Sequence, residues 1–266
     1  MNLRHEAVEI AVDGEHIVGT LVVPEPRRES GPAALFVHGW GGSQDQYLAR
    51  ARIVAALGWV CLTFDLRGHE KTLSQFDAVT REDSLRDVVA AYDVLARCRR
   101  VDGSRIALVG SSYGAYLAAI ATALRPVRWL SLRAPAIYKD AGWNVPKREL
   151  HRDPDFAAFR RREHLPAGNR ALGACAQFRG DALVIESRDD SVVPHPVVAN
   201  YVAAFANAHS LTYRVIEGAD HGLSREPWKQ AYTEFLVNWL KEVTSGTPVE
   251  LPRTVAAATP RAPEES

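Results

Sequence analysis

The segment Gly110-Ser111-Ser112-Tyr113-Gly114 joins two stretches that prefer different backbones. Before it runs Arg105-Ile106-Ala107-Leu108-Val109, an apolar run suited to a buried strand. After it comes Ala115-Tyr116-Leu117-Ala118-Ala119-Ile120-Ala121, a small-residue stretch suited to a helix. A chain that passes from strand to helix within five residues must turn sharply at Ser112, and side chains two places before and after it would collide. Glycine fills both positions. This is the setting in which a G-x-S-x-G serine becomes a nucleophile.

The other apolar runs build outward from that turn. Residues 8–12 and 17–23 are β-branched runs separated by Asp13-Gly14, a dipeptide that favours a hairpin. The runs at 33–37, 59–64, 127–132, 182–186 and 211–216 suit the interior of a parallel sheet, where strands are covered on both faces. Helical spacing lies between them at 45–57, from 81 to about 100, at 195–206 and at 224–243. Thr80, with Asp83 three residues later, predicts a capping box, and Leu85, Val88, Val89, Tyr92, Leu95 and Ala96 form one apolar stripe. Strands alternating with helices predict an α/β fold, a mostly parallel sheet of about eight strands with helices on both faces. Residues 133–180 break the pattern, with prolines at 135, 146, 154 and 166 and short helical pieces such as 155–164. They are expected to form a small helical lid inserted into a single domain spanning 1–245, with 246–266 as a disordered tail.

Lysine plus arginine number 32, and so do aspartate plus glutamate. That balance gives no overall field to draw the chain to nucleic acid or an acidic membrane, so a small ester or acyl compound is the expected partner. No apolar run approaches bilayer-spanning length and the first residues lack the apolar core of a signal peptide, which makes the cytoplasm the expected location. Cys61, Cys98 and Cys175 show no metal or redox spacing, and Cys61 and Cys98 are expected to be packed or half-packed thiols. No metal ligand cluster stands out and no cofactor is expected. Oligomeric state leaves no mark in the sequence.

A serine hydroxyl is nearly inert near neutral pH and needs a base, itself oriented by an acid. The loop after the run at 182–186 supplies Asp189 and Asp190, and the loop after 211–216 supplies Asp220-His221. Serine, then aspartate, then histidine is the chain order of the α/β-hydrolases. From about residue 8 to residue 243 the chain resembles that superfamily, whose members include serine esterases, dienelactone hydrolases and serine aminopeptidases. The matching segments are His38-Gly39-Trp40-Gly41-Gly42, Asp65-Leu66-Arg67-Gly68-His69, Gly110 to Gly114, Asp190 to Pro194 in the pattern D-x-x-V-P, and Gly218-Ala219-Asp220-His221-Gly222.

The resemblance implies Ser112 as nucleophile, His221 as general base and Asp190 as the acid that orients it, with Asp189 the competing acid. It also implies an oxyanion hole built from the backbone N–H groups of Trp40 and Tyr113. His38, His69 and Arg67 are expected to hold structure, and Glu70 stands where many relatives have glycine. In the lid, Tyr138 and Trp143 are candidates for an apolar substrate pocket or for docking the lid. Lys139, Lys147, Arg148 and Arg152 are either solvated or turned toward an anionic substrate. The expected activity is hydrolysis of a small carboxylic ester through an acyl-enzyme on Ser112. A thioesterase or an acyl-peptide or aminopeptidase on the same triad is an alternative, and a non-hydrolytic ligand-binding receptor is one of a different class.

Overall fold

Period-two geometry divides each central strand between two layers. In β3 (Gly31–Val37), Ala33, Leu35 and Val37 pack into one layer while Ala34 and Phe36 pack into the other. In β4 (Val60–Phe64) the split is Val60, Leu62 and Phe64 against Cys61, and in β5 (Val101–Ser111) it is Ile106 and Leu108 against Ala107 and Val109. Both faces are buried, which is why these runs read as continuous apolar sequence. One face is covered by α1 (Asp45–Ala55) and α7 (Glu226–Ser245) through Tyr47, Ala51, Val54, Leu236 and Leu240. The other is covered by α2 (Arg81–Ala96), α3 (Tyr113–Ala121), α5 (Arg170–Gln177) and α6 (His195–Ala204).

The computed structural model describes residues 2–25 and 30–245. Its sheet has eight strands, completed by β1 (Asn2–Val12), β2 (Glu15–Glu25), β6 (Trp129–Arg133), β7 (Asp181–Ser187) and β8 (Ser210–Ile216), in the order β1-β2-β4-β3-β5-β6-β7-β8. The β1–β2 and β2–β4 pairs are antiparallel, and the pairs from β4 to β8 are parallel. All six parallel strands therefore deliver their carboxyl ends, and the loops that follow, to one edge. That edge is where ligands bind in open α/β sheets.

The α/β expectation holds, and local chemistry accounts for its details. Asp13 and Gly14 take φ of 52° and 79°, the primed turn that the hairpin twist demands. The hairpin runs longer than its apolar core, from Asn2↔Glu25 to Val12↔Glu15. Its polar outer end lacks a hydrophobic pattern but still closes the ladder and carries the Arg4–Glu25 pair at 3.2 Å. The Thr80 capping box forms, with Thr80 Oγ1 accepting from the Asp83 amide at 3.1 Å and Asp83 Oδ2 accepting from the Thr80 amide at 2.9 Å. The proposed tail, 246–266, lies outside the described residues.

The connection from β6 to β7 is less helical than residues 155–164 predict. Its α4 covers only Phe156–Phe159. Beyond it, Asn200 on α6 accepts from the His164 amide at 2.9 Å and donates to the Arg162 carbonyl at 2.9 Å, which draws those backbone groups out of helical bonding. Helix α5, in contrast, is fully formed. Asn169 caps it by accepting from Ala171 and Leu172, and Ala171, Leu172 and Cys175 are buried in the layer that contains α3.

Candidate active site

Ser112 holds φ 54° and ψ −116°, a conformation that costs a non-glycine residue about 1 to 3 kcal/mol and persists only where its surroundings enforce it. They do so here. The Ser112 amide donates to the Arg133 carbonyl at 2.8 Å, and its own carbonyl accepts from Tyr116 at 3.1 Å and Ala136 at 3.1 Å. Glycine is required on either side because space is absent. A Cβ on Gly110 would lie 2.6 Å from the Ala115 Cα, and one on Gly114 would lie 2.2 Å from the Val37 carbonyl oxygen and 2.4 Å from that of His38. The turn is thus locked against the end of β3, which carries the neighbouring glycine loop.

The structure brings Ser112, His221 and Asp190 together from the ends of β5, β8 and β7. His221 Nε2 lies 3.0 Å from Ser112 Oγ, and Nδ1 lies 2.7 Å from Asp190 Oδ2. The other oxygen of Asp190 accepts from the Val192 and Val193 amides at 2.8 and 2.7 Å. Burial pushes this carboxyl's pKa up, but the bonds from His221, Val193 and Val192 outweigh it and hold the pKa below that of an ordinary aspartate. A carboxylate so held fixes the hydrogen of His221 on Nδ1 and leaves the Nε2 lone pair facing the serine. Asp189 contributes its amide to the Ala219 carbonyl at 2.9 Å, and its side chain is exposed.

The loop after β3 is held by two histidines. His38 places Nδ1 2.8 Å from the Gly39 carbonyl and accepts the Leu66 amide on Nε2 at 3.0 Å. Burial pulls its pKa down to about 4, so the ring is neutral. His69 accepts the Gly41 amide on Nε2 at 2.9 Å, and its ring meets that of Trp40 edge-on at 4.9 Å. Arg67 ties the same stretch to α2, donating from Nε to Asp87 at 2.6 Å and from Nη2 to the Asp83 carbonyl at 2.8 Å. Glu70, at φ 45°, occupies the left-handed region that favours glycine. The Trp40 and Tyr113 rings meet at 5.6 Å, which sets the two candidate oxyanion residues side by side. Among the described residues neither of their backbone amides is donated to another protein group.

A family model described as "Alpha/beta hydrolase family" matches residues 34–234. The chain belongs to the alpha/beta hydrolase family. An uncharacterized protein of Mycobacterium tuberculosis is 29% identical over 210 residues, which cover 77% of this chain and 68% of that one. Among solved structures, Est1E from Butyrivibrio proteoclasticus with bound ferulic acid superposes with a TM-score of 0.70 at 17% identity, covering 90% of this hydrolase and 100% of that chain. A dienelactone hydrolase from Anabaena variabilis gives 0.62 at 22% identity over 91% and 98% of the two chains. The Pyrococcus horikoshii acylaminoacyl peptidase gives 0.69 at 14%, covering 91% of this chain and 42% of the peptidase.

Beside Ser112 the hydrolase has a cleft of about 500 Å³, lined by residues 39–42 and by side chains of α1, α7, Arg133 and His221. Tyr138 and Trp143 are not part of its lining. Tyr138 is buried and stacks on Phe156 at 5.6 Å, while Trp143 donates to Glu82 and lies under the Arg170 guanidinium at 3.9 Å. Both rings are used in docking the β6–β7 connection onto the core, so the substrate-pocket role is not carried forward. The basic side chains of that connection are also occupied. Lys139 pairs with Asp153 and Asp155 at 2.7 and 3.1 Å, Arg148 pairs with Asp77, and Arg152 pairs with Glu149 at 3.5 Å. The cleft's cations are instead Arg50, Arg133 and Lys229. Arg133 was detectable in the sequence as a charge closing an otherwise apolar strand, whereas Arg50 and Lys229 look like ordinary helix-surface residues.

Lys147 is more deeply buried than these basic neighbours. It is only 1% exposed, and its Nζ lies 4.8, 5.1 and 5.2 Å from the ring centroids of Trp40, Tyr113 and Tyr138. Burial, with Arg81 and Arg160 nearby, pulls its pKa down to about 7. The folded chain thus binds fewer protons here than the unfolded chain between about pH 7 and 10.5, so stability rises with pH across that window. Below it the full cost of burying the ammonium is present. Lys147→Met removes that titration, so its Tm relative to the wild type is expected to be highest near pH 6 and to fall toward pH 10. Paired thermal melts across that range check it, and a difference that did not change with pH would contradict this reading.

Proposed function

We propose that this chain is a serine hydrolase that cleaves a carboxylic ester through an acyl-enzyme on Ser112. The observation that carries the reading is the continuous relay from Ser112 Oγ through His221 to Asp190, at 3.0 and 2.7 Å. His221 Nε2 takes the hydroxyl proton as Oγ attacks the ester carbonyl, and Asp190 stabilises the imidazolium that results. Negative charge then gathers on the carbonyl oxygen, where the amides of Trp40 and Tyr113 are the proposed donors. Each such donor is worth about 3 to 4 kcal/mol of barrier. Collapse expels the alcohol, which His221 protonates. A water deprotonated by the same Nε2 then releases the acid and restores Ser112. The protons and electron pairs come from these residues, the substrate and one water, and the proton His221 takes from the water returns to Ser112 Oγ.

The test compares p-nitrophenyl acetate with the matched anilide. Ester turnover with kcat/KM well above that of the anilide supports the proposal, because an amine is a far poorer leaving group to protonate. Comparable rates would favour a peptidase, and a faster acyl thioester would favour a thioesterase. Saturable binding of the ester without any turnover would favour a receptor.

A further inference from the structure

The cleft beside Ser112 has a one-sided charge. Arg50, Arg133 and Lys229 line it, and among the described residues no aspartate or glutamate does. Lys229 is an exposed side chain that pairs with Glu226 at 3.4 Å. The two arginines have no carboxylate partner among the described residues. Arg133 is only 7% exposed, and its acceptors are all neutral: Ser111 Oγ at 3.0 Å from Nε, and Ser187 Oγ and the His221 carbonyl at 3.3 and 2.9 Å from Nη1. Its Nη2 donates to no described group. Arg50 donates to Thr233 Oγ1 and the Gln46 carbonyl, both at 3.1 Å.

The two guanidiniums also share one ring. Tyr232 lies 4.4 Å from the Arg50 Cζ and 5.9 Å from that of Arg133, and its buried hydroxyl has no hydrogen-bond partner among the described residues. Two guanidiniums set around one ring repel each other, and an anion between them would relieve that repulsion. Two other arginines pair with carboxylates, Arg67 with Asp87 and Arg125 with Asp93, both at 2.6 Å, whereas the fully buried Arg81 spends its guanidinium on the Tyr116 hydroxyl and two backbone carbonyls. Arg133 reaches both the Ser111 side chain and the His221 backbone, so an anion bound there sits next to the reacting bond.

We infer that this cleft binds a carboxylate carried by the substrate, so that the enzyme prefers esters with a negatively charged group on the acyl or the alcohol side. The inference rests on the ester-hydrolase reading for the bond that is cut. The anion-binding role moves from the basic β6–β7 connection, whose charges are already occupied, to α1, β6 and α7.

Two pairs of esters test it at low salt. One places the carboxylate in the acyl chain, p-nitrophenyl hydrogen glutarate against its isopropyl isostere. The other places it in the leaving group, acetoxybenzoate against acetoxybenzamide. The expected result is a kcat/KM preference for the anion of about tenfold or more in at least one pair, declining as salt is raised. The preference should fall toward unity in Arg50→Gln and Arg133→Gln and persist in Arg148→Gln. Equal or reversed preference in both pairs overturns the inference, as does a preference that Arg50→Gln and Arg133→Gln leave intact or that Arg148→Gln abolishes. Calorimetry on Ser112→Ala with monomethyl glutarate and its isopropyl isostere reads the same site without turnover. If the wild type hydrolyses none of the esters, the ester reading fails, while tighter binding of the anion in the calorimeter still supports the carboxylate site and equal binding still overturns it.

Discussion

Ser112→Ala is expected to lower kcat for p-nitrophenyl acetate by about 10⁵- to 10⁶-fold, with Tm within about 2 °C of the wild type. The reason lies in how little of the fold depends on Oγ. Its described hydrogen bond is the one to His221, whereas the turn is held by the Ser112 backbone and by the packing of Gly110 and Gly114. Alanine keeps the φ of 54° at the same cost as serine. The remaining rate should exceed that of water, because the Trp40 and Tyr113 amides and the cleft would still orient and polarise an ester. Steady-state turnover with circular dichroism measures both quantities. A variant that retained more than about 1% of kcat would remove Ser112 from the mechanism, since a nucleophile's loss is far larger.

Asp190→Asn is expected to cost about 10⁴-fold in kcat, and Asp189→Asn less than about twofold, since it touches no part of the relay. An asparagine amide donating to Nδ1 would put the imidazole hydrogen on Nε2, against Ser112 Oγ, where the base needs its lone pair. The Val192 and Val193 amides that now bind Asp190 Oδ1 could still be satisfied by the asparagine oxygen, so the loop should keep its shape. Kinetics of the two variants side by side decide the assignment. Loss in Asp189→Asn with activity in Asp190→Asn would reverse it. The depressed pKa of Asp190 also has a stability consequence. Its contribution is present above the unfolded value of about 3.9 and is lost as pH falls through the lower folded value.

Sequence order made much of the candidate site legible because its parts sit where apolar runs end. Ser112, Asp190 and His221 each follow a strand that could be recognised by composition, and Thr80 with Asp83 marked the start of α2 through purely local chemistry. The cleft was not legible because it is assembled from distant positions. Arg50 belongs to α1 and Lys229 to α7, and nothing local distinguishes them from solvated helix residues until the sheet order places both helices on the same face. The same applies to Lys147, whose ring neighbours Trp40, Tyr113 and Tyr138 come from three separate segments. Between residues 155 and 164 local propensity lost to a tertiary partner, Asn200. At α5, eight residues were too few to show a periodic stripe, although Asn169 was present as a cap.

Covalent capture tests Ser112 as an activated nucleophile most directly. Wild-type protein treated with a fluorophosphonate probe should gain one adduct mass, located by peptide mapping on Ser112, and His221→Ala should label far more slowly. Wild-type protein that took up no adduct, or took it up at another residue, would contradict a nucleophilic Ser112.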